Sequence, residues 1–402
     1  MPPRLPAAQQ PEWNDLHQVA QVRNVLAATD PLVGVAQVRA LRRSLAAAAR
    51  GEALVLQVGD CAEHPDECRK THIDAKSALA HRLAETMGAR AGLPVIRVGR
   101  IAGQFAKPRS ASVEEIDGVG KLPVYRGHMV NLPAPDADSR RPDPLRLLMC
   151  FMTARETMQH LGWRTDSDRP HRDGETPLWT SHEALLLDYE QPQLRPVDGG
   201  TLLGSTHWPW IGERTRQLEG AHVDLLAGVV NPVACKVGPG MTPGELLGLC
   251  GRLDPRREPG RLALIVRMGP AAVTERLPAL ARAVRDAGHP VLWLCDPLHA
   301  NTIKRRDGTK TRHVATAVDE VRRFTAALAQ AGVRGHGLHL EASPYAVGEC
   351  VGTEPDPGHP AGGAPSLCDP RLDPAQAMEV VTAWSAVGGP QGESVLTRRG
   401  LS

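Results

Sequence analysis

The sequence predicts an α/β fold of the (β/α)8 TIM-barrel class, with a short helical N-terminal extension and an insertion after the second strand. Three observations carry this. Short apolar runs that read as strands alternate with helical patterns, which implies a parallel sheet. Eight such runs are present, enough to close a barrel, although a doubly wound sheet could use the same strands. Reactive side chains sit just past separate strand candidates. Cys61 follows LVLQVGD, His299 follows VLWLCDPL, Glu341 closes GLHLE, and Asp369 lies in SLCDPRL; Arg100, Lys236 and Arg267 end three more strands. One reactive residue per strand end is how a barrel builds an active site at its C-terminal mouth.

Residues 1–50 read as the helical extension, without evident chemistry. In VAQVRALRRSLAAAA, Val35, Val38, Leu41 and Leu45 share one face, which is expected to pack on the barrel's outside. The barrel domain is read over 51–390, with a tail at 391–402. Its strand candidates are 53–58, 94–99, 177–181, 201–206, 233–237, 262–267, 291–295 and 337–341. Several are leucine-rich or β-branched and bounded by Gly or Pro, as suits strands buried on both faces. The stretch 103–176 is too long for a βα loop, so it is expected to fold over the mouth, with a helix near 144–161. Around 271–287, Val273, Leu277, Leu280 and Val284 form a helical stripe. Thr242, Pro243 and Glu245 give a cap, a first-turn proline and a capping-box glutamate, and Asp373 with Pro374 repeats the start signal.

The 402 residues are 42% hydrophobic and 23% charged, enough for a sizeable core. Aromatic residues are only 3%, so that core must be Leu, Val, Ile and Ala. A formal charge of +2 gives no general case for nucleic acid or a membrane surface. No apolar run approaches a bilayer span, and MPPRLPAAQQPEW lacks the apolar stretch of a secretory signal. The expectation is a cytoplasmic protein whose eight cysteines are mostly reduced thiols; no CxxC pair argues for a zinc knuckle. IDGVGKL lacks P-loop spacing, SHEALLL lacks the second histidine of a zincin helix, and no G-x-S-x-G elbow is present.

The strand-end residues divide by chemistry. Cys61, His299, Glu341 and Asp369 mix soft, borderline and hard donors, which suits Mn, Co, Fe or Zn better than Ca or Mg. Each alone has a bland reading, a core cysteine or a structural histidine, and only their joint placement points to a metal. The second set is basic. GRIAGQFAKPRS carries Arg100, Lys107, Arg109 and Ser110; WIGERTRQ carries Arg214 and Arg216; Lys236 and Arg267 end apolar strands. A cation there needs a partner, either a carboxylate across the barrel or a bound phosphate or carboxylate. KRRDGTKTR at 304–312 reads chiefly as a solvated turn around Asp307-Gly308, with a lesser reading as part of the mouth.

The chain resembles class II (plant-type) 3-deoxy-D-arabino-heptulosonate 7-phosphate (DAHP) synthases. The resemblance rests on VGDCAE, GRIAGQFAKPRS, LPVYRG, TSHEALLLDYE, STHWPWIGERTRQLEGAHV, NPVACKVGP, LIVRMG, CDPLHANT, GLHLE and SLCDPRL, in family order from about residue 53 to 385. STHWPWIGERTRQ and NPVACKVGP are most similar to the compact branch of phenazine and related secondary-metabolite pathways. The resemblance implies condensation of phosphoenolpyruvate with erythrose 4-phosphate, the first step of the shikimate pathway. It places the metal ligands on Cys61, His299, Glu341 and Asp369, for Mn2+ or Co2+, with Zn2+ or Fe2+ as alternatives. Phosphoenolpyruvate would contact Arg100, Lys107, Glu213, Arg214, Lys236 and Arg267, and the sugar phosphate would sit near Arg109 and Ser110. Lys236, Glu213, Cys61 and His299 would be catalytic, with Glu213 and Lys236 positioning a water.

The resemblance also implies a homo-oligomer, dimer or tetramer, and a chorismate mutase as a possible partner. Three departures stand out: His128 follows YRG where the family has an acid, Ala300 follows the metal histidine in place of Gly, and ASPYAVGEC follows Glu341 in place of a threonine-rich stretch. They leave room for an amino-sugar variant of the reaction. A weakly active scaffold for a chorismate mutase and a different metal-dependent aldolase are the other readings. Cys61 and Cys368 are expected to be able to pair as a disulfide when metal is absent.

Overall fold

The computed structural model describes residues 5–163, 178–306, 308–352 and 369–384. Eight parallel strands close into a barrel: β1 (Leu54–Gly59), β2 (Val95–Arg100), β3 (Trp179–Glu183), β4 (Trp208–Ile211), β5 (Val233–Val237), β6 (Leu262–Val266), β7 (Leu292–Cys295) and β8 (Gly337–Glu341). Each pairs with its neighbours in sequence order, and β1 closes against β8 from Val55↔Gly337 to Gly59↔Glu341. This is the (β/α)8 barrel that alternating apolar runs and helical patterns imply.

Seven of the expected strands lie within a residue or two of their places, and one does not. Residues 201–206 are not the fourth barrel strand. Gly200–Leu203 folds back antiparallel on Leu194–Val197, and the barrel strand is Trp208–Ile211. That strand holds Pro209, which lacks an N–H and argues against a central position. The fold tolerates it because β4 registers with β5 only from Trp210 onward.

Alternation along the strands sorts their side chains. Leu54, Leu56, Val58, Cys235, Val237, Leu264, Val266, Leu338 and Leu340 join the cluster packed under the outer helices. The intervening Val55, Ala234, Ala263, Ile265, Leu292 and Leu294 join a second cluster inside the barrel. The inward parity therefore also falls on Arg100, Lys236, Arg267, Asp296, His339 and Glu341 at the C-terminal ends. Midway up, Gln57 donates to Ser181 Oγ (2.8 Å) and hydrogen-bonds His339 Nδ1 (2.6 Å), making a polar layer above the apolar one.

Outside lie Lys70–Ala91, Leu145–His160, Ala221–Ala227, Pro243–Leu253, Pro270–Asp286, Val314–Gln330 and Pro374–Thr382. Thr242/Glu245 and Asp373/Gln376 both form capping boxes. The helix Val35–Ala49 was expected on the barrel's outside but lies across its N-terminal end. Its Leu41 and Leu45 share the interior cluster with Val55, Ala263 and Leu292, and Gly260 backs so closely onto it that a Cβ would meet Ala46 N at 2.5 Å. An apolar helix face there seals the end opposite the mouth. Between β2 and β3 come the hairpin Val113–Ile116/Gly120–Pro123, the turn Ala137–Arg140 and the helix Leu145–His160. That helix packs beside Lys70–Ala91. Among the described residues, no helix is long and apolar enough to cross a membrane.

Candidate active site at the barrel mouth

Cys61 follows β1 in a turn fixed by its neighbour. Asp60 is buried and ion-paired to Lys76 (2.8 Å) and Arg371 (2.7 Å). Glu341 ends β8 fully buried, which would raise its pKa. The charges of His299, Arg312 and Arg100 outweigh burial and hold it well below the usual carboxylate range. Its Oε1 lies 3.0 Å from both Arg100 Nη2 and His299 Nε2, and its Oε2 accepts from Arg312 at 2.7 Å.

His299 stands between two carboxylates: its Nδ1 is 2.7 Å from Asp296 Oδ2. Burial opposes its charged form, but Asp296 and Glu341 win, and the pKa rises to about 10. Cys61 Sγ, a His299 nitrogen and a Glu341 oxygen all lie within 4.8 Å of one another. Asp369 is outside that tight group but close to it, with Oδ2 3.8 Å from Cys61 Sγ. Its two oxygens are held by Lys107 (3.1 Å) and Lys310 (2.7 Å).

The donor set fits a divalent cation. One soft sulfur, one imidazole and one or two carboxylates converge on a spot where protonated and guanidinium groups now balance the negative charge. A cation there would displace the proton from His299, since ligation needs the neutral ring.

The basic set lines the same mouth. Lys236 is buried and pairs with Asp296 Oδ2 at 2.5 Å. Burial is the largest influence and lowers its pKa to about 8 despite that carboxylate. Arg100 donates to Asp60 O (3.0 Å) and Glu341, and its guanidinium lies 5.2 Å from the Trp210 ring centroid. Arg267 donates to the His299 carbonyl (3.0 Å), so it touches the loop that carries a donor. Glu213 gives one oxygen to Arg216 (2.8 Å), while its Oε2 is buried without a hydrogen-bond partner. Arg214 Nη2 donates to Ser110 Oγ at 2.6 Å, joining segments far apart in sequence. Arg109 approaches Glu114 at 3.5 Å.

The fold thus brings Cys61, His299 and Glu341 together, with Asp369 beside them and Lys107 on Asp369. Arg214 meets Ser110, and its charge also reaches Glu183 beside Lys236 and His299; Arg109 lies against Glu114. Four residues escaped the sequence reading. Asp296 (0% exposed) bridges Lys236 and His299; as a carboxylate one residue past β7, it obeys the strand-end rule. Glu183 closes β3 by the same rule. Its carboxyl is buried, Oε1 lacks a partner, and burial raises its pKa beside Lys236 and His299.

His339 sits beneath, against Arg100 and Gln57. Arg312 corrects the expectation of a solvated 304–312 turn. It is 1% exposed and donates to Glu341, to Thr302 Oγ1 (3.0 Å) and to the Pro370 carbonyl. Composition gave no sign of this, because a guanidinium's burial depends on which carboxylate faces it. Among the described residues Cys68, Cys150, Cys235, Cys250, Cys295 and Cys350 are free thiols; Cys368, and with it the expected Cys61–Cys368 disulfide, lies outside them.

Comparison with known proteins gives a consistent picture. The model of the class-II DAHP synthetase family matches residues 3–170 and 162–385. A probable phospho-2-dehydro-3-deoxyheptonate aldolase of Pseudomonas fluorescens is 51% identical over 385 residues, covering 96% of each chain. The phospho-2-dehydro-3-deoxyheptonate aldolase AroG of Mycolicibacterium smegmatis is 37% identical over 427 residues, 93% of this chain and 91% of its own. The phospho-2-dehydro-3-deoxyheptonate aldolase of Streptomyces coelicolor is 37% identical over 426 residues, 94% of each chain.

Proposed function

We propose the following from one premise: the chain belongs to the class-II DAHP synthetase family. It is a DAHP synthase, condensing phosphoenolpyruvate and erythrose 4-phosphate with water to give DAHP and phosphate. The observation that carries this is the meeting of Cys61, His299 and Glu341 at a mouth also lined by Arg100, Lys236 and Arg267. A metal-donor set beside buried cations suits a reaction that joins two phosphate-bearing anions.

Cys61, His299, Glu341 and Asp369 would hold the metal; their mixed donors suit Mn2+, Co2+, Fe2+ or Zn2+, and the family resemblance favours Mn2+ or Co2+. When bound, it supplies Lewis-acid polarisation of the aldehyde. Arg100, Lys107, Arg214, Lys236 and Arg267 hold phosphoenolpyruvate by its carboxylate and phosphate. Arg109 and Ser110 hold the sugar phosphate, and the Arg214–Ser110 contact links the two subsites. The methylene carbon of phosphoenolpyruvate bonds to the aldehyde carbon, leaving the enol carbon electron-poor. Glu213 and Lys236 then hold the water that adds there: Glu213 Oε2 has a free acceptor site, and Lys236 near pKa 8 can release or take a proton at Nζ. Phosphate leaves as the C–O bond breaks and the ketone forms. Fixing both substrates supplies several kcal/mol through orientation alone.

The test follows phosphoenolpyruvate absorbance with both substrates, with Mn2+ or with EDTA. Consumption that requires both substrates and is abolished by EDTA is expected. Metal-independent consumption, or none with any divalent ion, would overturn the assignment.

A further inference from the structure

Arg126 belongs to neither set described so far. Its carbonyl accepts from Lys107 N (2.8 Å) and its N–H donates to Asn131 Oδ1 (2.8 Å), so the chain here is stitched alongside the segment that leads to Arg109 and Ser110. Asn131 is fully buried and also donates to Val124 O and Arg140 O, both at 3.0 Å, which fixes the turn. Gln9 bridges the two arginines: its side-chain oxygen accepts from Arg109 N (2.8 Å), and its carbonyl accepts from the Arg126 guanidinium. Gln9 has a left-handed backbone conformation (φ 62°), unusual for a residue with a side chain.

Among the described residues no carboxylate pairs with Arg126. Its only acceptor among the described residues is that neutral carbonyl, and its Nε is buried without a partner. Burial and the neighbouring Arg109 both weaken its hold on a proton. Glu114 does not fill the gap: one of its oxygens is engaged closely by Arg140 and the other lies 3.5 Å from Arg109. Two arginines close enough for each to feel the other's charge, one without an acidic partner among the described residues, favour a bound anion. The Nε edge of arginine suits phosphate oxygens, to which it can donate two parallel hydrogen bonds.

We propose that Arg126 is a further ligand for the phosphate monoester of the sugar substrate, completing the subsite of Arg109 and Ser110, with Gln9 holding the two arginines in register. The proposal rests on the reading that Arg109 and Ser110 bind that phosphate.

The test uses the full chain with Mn2+ and three variants: Arg126→Gln, Arg126→Lys and, as the reference, Arg109→Gln. For each, KM is measured for erythrose 4-phosphate and for phosphoenolpyruvate, with the inhibition constant of inorganic phosphate against the sugar. Arg126→Gln is expected to raise the sugar-phosphate KM and the inhibition constant by roughly 10–100-fold, as loss of a charged hydrogen bond does. The phosphoenolpyruvate KM should stay within about twofold, and Arg126→Lys should fall between. If Arg109→Gln raises the sugar-phosphate KM and Arg126→Gln does not, the proposal fails while the subsite stands. If neither variant moves it, the reading of the subsite itself fails. Equal rises in both KM values, unrelieved in Arg126→Lys, would mark a packing role and also overturn the proposal. Should Arg126→Gln not fold, the Arg126→Lys values decide by the same split.

Discussion

At the scale of single residues, the site is a chain of alternating charge. Lys236, Asp296, His299, Glu341 and Arg312 follow one another at hydrogen-bond distance, so each buried charge has its neighbour's to offset desolvation. Asp296 is the hinge of that chain because it orients both a candidate donor and a candidate proton carrier. Asp296→Asn should weaken Mn2+ binding about 10–100-fold, the usual effect of losing a partner behind a ligand. Isothermal titration of the metal-free protein reads this directly. A dissociation constant unchanged from the parent would show that Asp296 does not orient His299.

At the scale of elements, the loops depend on backbone approaches only glycine allows. Gly127 has φ 100°, and a Cβ there would lie 2.2 Å from the Phe105 carbonyl oxygen. This contact lets the Arg126–Met129 turn dock on the Phe105–Lys107 segment. Gly127→Ala should therefore displace the turn and lower the thermal midpoint, costing about 1–3 kcal/mol as overpacking does. It should also raise the sugar-phosphate KM while leaving the Mn2+ dissociation constant within about twofold, because Cys61, His299 and Glu341 come from other elements. A midpoint and KM equal to the parent's would remove the turn from the argument.

At the scale of the molecule, stability carries a pH signature from histidines outside the site. Burial lowers His207 to about 3; burial and then Arg334 lower His336 to about 4. His336 Nδ1 accepts from Trp293 N at the start of β7 (2.9 Å), and His207 Nδ1 lies 2.8 Å from Thr180 Oγ1 in β3. Both rings stay neutral in the fold, whereas the unfolded chain takes up their protons below about pH 6.5. Folding then binds fewer protons than unfolding, so stability falls as pH drops from 6.5 toward 4. The loss is about 1.4 kcal/mol per pH unit for each fully shifted ring. Urea unfolding of metal-free protein at pH 7 and pH 5 should show the midpoint falling, and His207→Gln should flatten that slope. An equal slope in the variant would assign the acid sensitivity elsewhere.

The sequence by itself determined the strands and helices of a parallel α/β fold, because strand periodicity and helix caps are local properties: seven strands, the Thr242/Glu245 capping box and the Asp373–Pro374 helix start were legible from short windows. It also marked the reactive strand ends, since inward parity at a C-terminal end is a property of one strand. The tertiary structure alone decided which of those ends meet. Trp208–Ile211 displaced 201–206 because an antiparallel hairpin claimed the more obvious run. Asp296 and Arg312 gained their places from partners 60 and 29 residues away, Lys236 and Glu341. Charge pairing in a buried space depends on distance in three dimensions, and only closing the barrel sets those distances.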